Sequence, residues 1–205
     1  MPAGTEGTMH PMKPIALVFS AAIALAPATA IVQAQERLND TQLIETLNVL
    51  DQSKSIDVAA LRRRAVDSVA ANRGPDASLR EPLSQELDNL SQFTVEIQFR
   101  TGSAVIRPAS FRTVGVIADS LLHPTLREYK FLIVGHTDAV GDRKSNLTLS
   151  QKRADAVRDA LVTTFGIAPA RIVSVGLGEE QLQNRKNPDA AANRRVQIVN
   201  VGRFR

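Results

Sequence analysis

VGHTDAVGDRKSNLTLSQKRADAV, residues 134–157, sets an aspartate just past an apolar run and an arginine just inside a helical pattern. The apolar run belongs to a strand expected over Tyr129 to His136. Its uninterrupted Phe131-Leu132-Ile133-Val134 is the pattern of a strand covered on both faces. A helix is expected over Leu149 to Phe165, burying Ala154, Val157, Leu161 and Phe165, with Gly166 ending it. The stretch therefore reads strand–loop–helix, with Asp138 at the strand end and Arg153 in the first turn of the helix. Two opposite charges aimed at one mouth are either a structural ion pair or two jaws for a ligand carrying both charges.

Working outward, Phe93 to Phe99 alternates, with Phe93, Val95, Ile97 and Phe99 on one face and Thr94, Glu96 and Gln98 on the other. Thr101-Gly102-Ser103 breaks it. Pro108 suits the first turn of a helix; Phe111, Val114, Ile117 and Leu121 supply its apolar stripe, and Pro124 stops it. Arg171 to Val175 reads as a third strand and Arg194 to Val201 as a fourth, with Gly176-Leu177-Gly178-Glu179 as a turn between them. The order β-α-β-α-β-β predicts an α/β sandwich, two helices packed on one sheet.

The flanking regions bound the class. The chain has 205 residues and no cysteine. A disulfide framework, a thiolate metal site, a cysteine nucleophile and a lipid-modified cysteine are thereby excluded. Lys13 precedes an apolar stretch, Ile15 to Ala26, and Val32-Gln33-Ala34 fits cleavage before Gln35, so residues 1–34 read as an export signal. Met9 or Met12 are alternative starts. An uncleaved inner-membrane anchor is the rival, but Pro14 to Ala34 reaches spanning length only by including Pro27, Thr29 and Gln33. Residues 35–92 form a helical extension with little core: Leu43, Ile44, Leu47 and Leu50 mark one helix, with Asp40 or Thr41 at its start. Leu61, Ala65 and Val69 mark a second, and Arg73-Gly74-Pro75-Asp76 marks a turn. Arg62-Arg63-Arg64 reads as a solvated face given Asp57 and Asp67 beside it. Glu36 to Gln92 holds 7 basic and 10 acidic residues, Phe93 to Arg205 17 and 10. The domain boundary is set at residue 93.

Residues 94–201 resemble the peptidoglycan-binding domain shared by OmpA-like outer-membrane proteins, Pal lipoproteins and flagellar stator proteins. The family pattern is Thr-Asp, ten residues, Leu-Ser, two, Arg-Ala, two, Val, three, Leu. Here it reads Thr137-Asp138, Leu149-Ser150, Arg153-Ala154, Val157 and Leu161 at those spacings. Gly135-His136, Gly141, Asn146, Gly166-Ile167, Gly176 to Glu179 and Asn193-Arg194-Arg195-Val196 are similar as well. The resemblance implies a mixed sheet in a wall-binding domain over residues 93–205, without enzymatic activity or cofactor. It implies peptidoglycan as partner, held through the meso-diaminopimelate of the stem peptide by Asp138, Arg153, Thr137, Asn146 and Arg194. It implies a periplasmic protein associated with the cell wall and outer membrane; residues 35–92 lie outside the resemblance, and an outer-membrane or envelope protein is the partner considered for them. Residues 35–92 leave no room for a transmembrane β-barrel. One position departs: many members carry an aspartate after the first strand's phenylalanine, and here Arg100 follows Phe99.

The chemistry supports that expectation. Diaminopimelate ends in an ammonium and a carboxylate on one carbon, so a binder needs an anion and a cation held close together. Arginine suits the carboxylate because its planar fork donates two parallel hydrogen bonds. The free N–H groups at the helix start would add positive potential on the same side. Other readings of these residues are blander. Ser150 caps the helix, Asn146 either caps it or touches the ligand, and at most one of Arg194 and Arg195 faces the ligand. His136, Asp138 and Ser150 do not have the placement of a hydrolase triad. A nucleic-acid partner is disfavoured by export, few aromatics and the lack of a stacking motif.

Overall fold

The structure is a computed structural model that describes residues 40–48, 56–71 and 82–203. All belong to one compact unit, Glu36–Arg205. The export segment, Leu50 and the Arg73–Asp76 turn lie outside the described residues. Five helices are described: α1 Asp40–Leu47, α2 Val58–Ala70, α3 Gln85–Asp88, α4 Phe111–Leu122 and α5 Arg143–Thr163. Four strands, β1 Gln92–Val95, β2 Tyr129–His136, β3 Ile172–Gly178 and β4 Val196–Arg203, form one mixed sheet in the order β1-β4-β2-β3. Strand β4 is antiparallel to both neighbours, whereas β2 and β3 run parallel. The architecture is an α/β sandwich in the order β-α-β-α-β-β.

One face of the sheet carries α4 and α5. Phe131, Ile133, Ile172, Val196 and Ile198 meet Val114, Ile117, Leu121, Val157 and Leu161 there, and α1 adds Leu43 and Leu47. The other face is also closed. Leu132, Val134, Val175, Leu177 and Val199 are covered by Leu61 and Ala65 of α2 and by Leu87 and Leu90. The expectation of little core in the front segment is corrected by these four fully buried side chains, Leu43, Leu47, Leu61 and Ala65. A sheet whose two faces are both buried explains the unbroken apolar run of β2.

Several boundaries move for identifiable reasons. Helix α5 begins at Arg143, six residues before Leu149. Asp142 Oδ1 accepts from the Ser145 amide at 2.8 Å and from its hydroxyl at 2.7 Å, an N-cap that a polar first turn hides from periodicity. Ser150 therefore does not cap; its Oγ donates to the Leu147 carbonyl and accepts from Gly178 N–H, both at 2.8 Å. Arg153 lies in the third turn, so the helix-start N–H groups are far from it. Strand β1 is shorter than expected, with Phe99 held by an isolated bridge to Ile106. Phe111 does not join the α4 stripe and is 42% exposed. Strand β4 starts at Val196 rather than Arg194. Arg62 is not simply solvated, since it donates to the Ser174 carbonyl at 2.8 Å.

Gly176 to Gly178 extends β3 and is not a turn. Gly135 of β2 and Gly176 of β3 are partners across the sheet. A Cβ on Gly176 would lie 2.1 Å from the Gln151 amide nitrogen, and one on Gly135 2.3 Å from the Ser150 carbonyl oxygen. The two glycines form a flat seat for the backbone of α5. Gly176→Ala is expected to cost at least 1–3 kcal/mol through overpacking, read as a lowered urea midpoint at unchanged m-value. The open edge of β3 is occupied from α5: Gln151 accepts from Gly176 N–H, and Arg158 donates to the Ile172 carbonyl. An edge so covered presents few groups to another chain.

Candidate functional site

The loop after β2 is held rigidly before any ligand is considered. Thr137 N–H donates to the Gly178 carbonyl at 2.9 Å, and Ala139 N–H to the Pro188 carbonyl at 3.1 Å. Asn146, in the first turn of α5, aims its amide at the carbonyls of Asp138 and Val140 and at Glu179 Oε2, at 3.3, 3.1 and 2.8 Å. It fastens the loop to the helix. Asn193 does the same for the loop before β4, donating to the carbonyls of Asn184, Asn187 and Pro188. Deeper, Arg143 grips Glu180 with two nitrogens and reaches Ser68 of α2, which ties the front helix to the same end of the sheet.

Asp138 and Arg153 do not pair with each other. Asp138 Oδ2 accepts from Arg194 Nη1 at 2.6 Å, and Oδ1 accepts from Val140 N–H at 3.3 Å. The Asp138 side chain is 12% exposed and that of Arg194 50%. Arg153 spends its Nε on the Ser103 carbonyl at 3.1 Å and lies over the Phe99 ring, 5.0 Å from the centroid. Its two terminal nitrogens make no hydrogen bond among the described residues. Burial holds the Arg153 guanidinium below the usual arginine range; Asp138 opposes that shift and Arg194 adds to it. Arg153 and Arg194, the latter bonded to Asp138, line one small cleft. It is lined by Ile97, Phe99, Gly135, Arg153, Arg194 and Val196, with His136 and Arg195 also contributing.

The remaining candidates take distinct places. Thr137 is buried, its Oγ1 without a partner among the described residues. Arg195 is 7% exposed and donates to the Gln181 carbonyl at 3.0 Å; burial pulls it down to about 10, with Asp88 opposing. Arg194 precedes β4, where the chain leaves a 3-10 turn, Ala191–Asn193. His136 Nε2 faces Gln197 Oε1, Ser150 serves Gly178, and Asp138 serves Arg194, so these three share no hydrogen bond. Sequence reasoning did not single out Phe99 as a platform for Arg153 or the Ser103 carbonyl as its anchor. The only hint was the break at Thr101-Gly102-Ser103, which turns that carbonyl toward α5.

His136 is fully buried, and burial, reinforced by Arg195, drops its imidazole well below the ordinary histidine range. The unfolded chain therefore takes up a proton below about pH 6.5 that the folded chain refuses, so stability rises with pH through that window. Stability is expected to fall by up to ~1.4 kcal/mol per pH unit on acidification below pH 6 from this group alone. Urea midpoints for wild type and His136→Gln between pH 4.5 and 7.5 check it; the variant should lose that slope.

The profile of the OmpA family matches residues 98–195. Outer membrane porin F of Pseudomonas fluorescens is 35% identical over 105 residues, 50% of this chain and 31% of the porin. Peptidoglycan-binding protein ArfA of Mycobacterium tuberculosis is 35% identical over 105 residues, again 50% of this chain and 31% of that protein. The chain thus spans about a third of the length of these curated relatives. The crystal structure of the peptidoglycan-associated lipoprotein from Burkholderia pseudomallei is 31% identical with a TM-score of 0.43, covering 52% of this chain and 88% of that one. Helices α1 and α2 precede the matched region. Residues 98–195 are an OmpA family domain.

Proposed function

We propose that this protein binds peptidoglycan non-covalently through the meso-diaminopimelate of the stem peptide and so holds an envelope protein at the cell wall. The observation that carries the reading is a cleft lined by Arg153 and Arg194, the latter bonded to the Asp138 carboxylate. Asp138 takes the ligand's ammonium. Arg153, anchored by its Nε and stacked on Phe99, offers its terminal nitrogens to the neighbouring carboxylate. Thr137 and Asn146 act through the loop that carries Asp138, and Arg194 belongs to the ligand-facing rim. Two charge-assisted contacts of about 1.5–3 kcal/mol each give modest affinity at one site, which a repeating polymer raises by multivalency. The similarity to ArfA, a peptidoglycan-binding protein, supports the ligand class. The role is one of attachment without catalysis or cofactor, in the periplasm between wall and outer membrane, after removal of residues 1–34. The wall-binding part is carried by residues 93–205, onto which the front helices pack, and the exposed faces of residues 35–92 offer a surface for an envelope partner.

Co-sedimentation of the exported chain with purified sacculi, against a DNA control across 50–500 mM salt, tests this. Wall binding is expected to survive salt that abolishes phosphate-driven binding. Retention on DNA without retention on sacculi would overturn the reading.

A further inference from the structure

The cleft wall contains three arginines, Arg153, Arg194 and Arg195, and no carboxylate. Asp138, the anion that the proposed site needs for an ammonium, is bonded to Arg194 and is the less exposed of the two. That contact uses one guanidinium nitrogen, Nη1, and not the two-pronged fork by which arginine holds a carboxylate most firmly. The Arg194 side chain makes no other hydrogen bond among the described residues, and half of it is in water. By contrast, Arg153 is anchored through Nε and stacked on Phe99. One arginine is therefore fixed and the other is free to swing.

Building on the diaminopimelate reading, we infer that Arg194 is an internal competitor for Asp138: it occupies the ligand's ammonium position in the free protein and moves to the ligand's carboxylate on binding. The exchange makes selectivity depend on both ends of the ligand. A bare ammonium must displace Arg194 and leaves it with no new partner. An ammonium with an adjacent carboxylate releases Arg194 and at once supplies an anion for it, shared with Arg153. Position 100, after Phe99, holds an arginine, and Asp138 is the carboxylate that has to be uncovered. The gain expected from removing the competitor is small, because a half-exposed ion pair is itself weak.

The test uses the chain from residue 35 onward, with meso-diaminopimelate and 1,5-diaminopentane, the same diamine without carboxylates, titrated by NMR shifts. Arg194→Gln is expected to bind diaminopentane roughly threefold to fivefold more tightly than wild type. It is expected to bind diaminopimelate about twofold to threefold more weakly, the loss of one charge-assisted contact outweighing the removal of the competitor, so the preference for diaminopimelate shrinks by about tenfold. Arg194→Lys, which restores a cation able to cover Asp138, should return diaminopentane binding to the wild-type level. Diaminopentane binding that is unchanged or weaker in Arg194→Gln, with wild type still binding diaminopimelate, overturns the competitor alone. Equal tightening for both ligands overturns the transfer to the carboxylate. A wild type that binds no diaminopimelate removes the underlying reading of the site instead.

Discussion

Arg153→Ala is expected to abolish sedimentation with sacculi while leaving the fold cooperative. The side chain is tied to the rest of the molecule by one hydrogen bond to the Ser103 carbonyl and by its stacking on Phe99. Losing those contacts costs about 1–2 kcal/mol, a modest drop in melting temperature. Losing its terminal nitrogens from the cleft removes the fixed cation of the site, worth on the order of ten- to hundredfold in affinity per contact. Arg153→Lys should bind weakly as well, since an ammonium on a flexible stem cannot present the planar fork. Asp138→Asn separates the site from its scaffold in the same assay. Its partner Arg194 is half exposed, so the freed cation is taken up by water and the melting temperature should move little. Binding of free diaminopimelate should fall strongly, because the amide keeps the size and loses the charge. A large thermal loss with binding retained, the signature of a broken buried pair costing about 3–5 kcal/mol, would refute the assignment of Asp138. Undiminished sacculus binding by Arg153→Ala would refute that of Arg153.

The second large effect concerns the front helices. A truncated chain of residues 93–205 contains the whole Thr137-to-Leu161 motif and almost the entire sheet, yet it is expected not to fold on its own. It would expose Leu132, Val134, Val175, Leu177 and Val199 on one face, now buried under Leu61, Ala65, Leu87 and Leu90. It would also lose Leu43 and Leu47 from the other face. Baring five apolar side chains at roughly 1.5–3 kcal/mol each removes on the order of 10 kcal/mol, comparable with the whole stability of a typical domain, about 5–15 kcal/mol. The Arg143–Glu180 pair would in addition lose Ser68, which donates to Glu180 at 2.6 Å. Urea unfolding followed by circular dichroism decides the matter: a cooperative transition at the full chain's midpoint would sink the expectation. Leu61→Ala in the full chain is the graded version, expected to cost about 2–5 kcal/mol. The same packing means that wall-binding assays should use the chain from residue 35 onward.

Much of the fold was legible because its signals are local. Strand β2 spans Tyr129–His136 as expected around its apolar run Phe131 to Val134, since a strand buried on both faces has no polar alternation to blur it. The strand–helix order and the spacing from Asp138 to Arg153 are likewise properties of neighbouring residues, and they pointed to the cleft. The start of α5 was hidden for the opposite reason: Arg143 to Thr148 is polar, and the helix is held there by the Asp142 cap rather than by an apolar stripe. Gly176 read as a turn because glycine usually marks one; its use as a seat for Gln151 depends on a helix arriving from another part of the chain. The covering of the second sheet face by α2 depends in the same way on where a preceding segment comes to rest. The charges show the division most clearly. Sequence alone determined that one acid and one base flank a strand–loop–helix turn. The tertiary structure decided that Asp138 is bonded to Arg194, 56 residues away, and that Arg153 is left with its terminal nitrogens facing the cleft. Coulomb attraction follows distance in space, and only the folded sheet brings the end of β2 and the approach to β4 side by side.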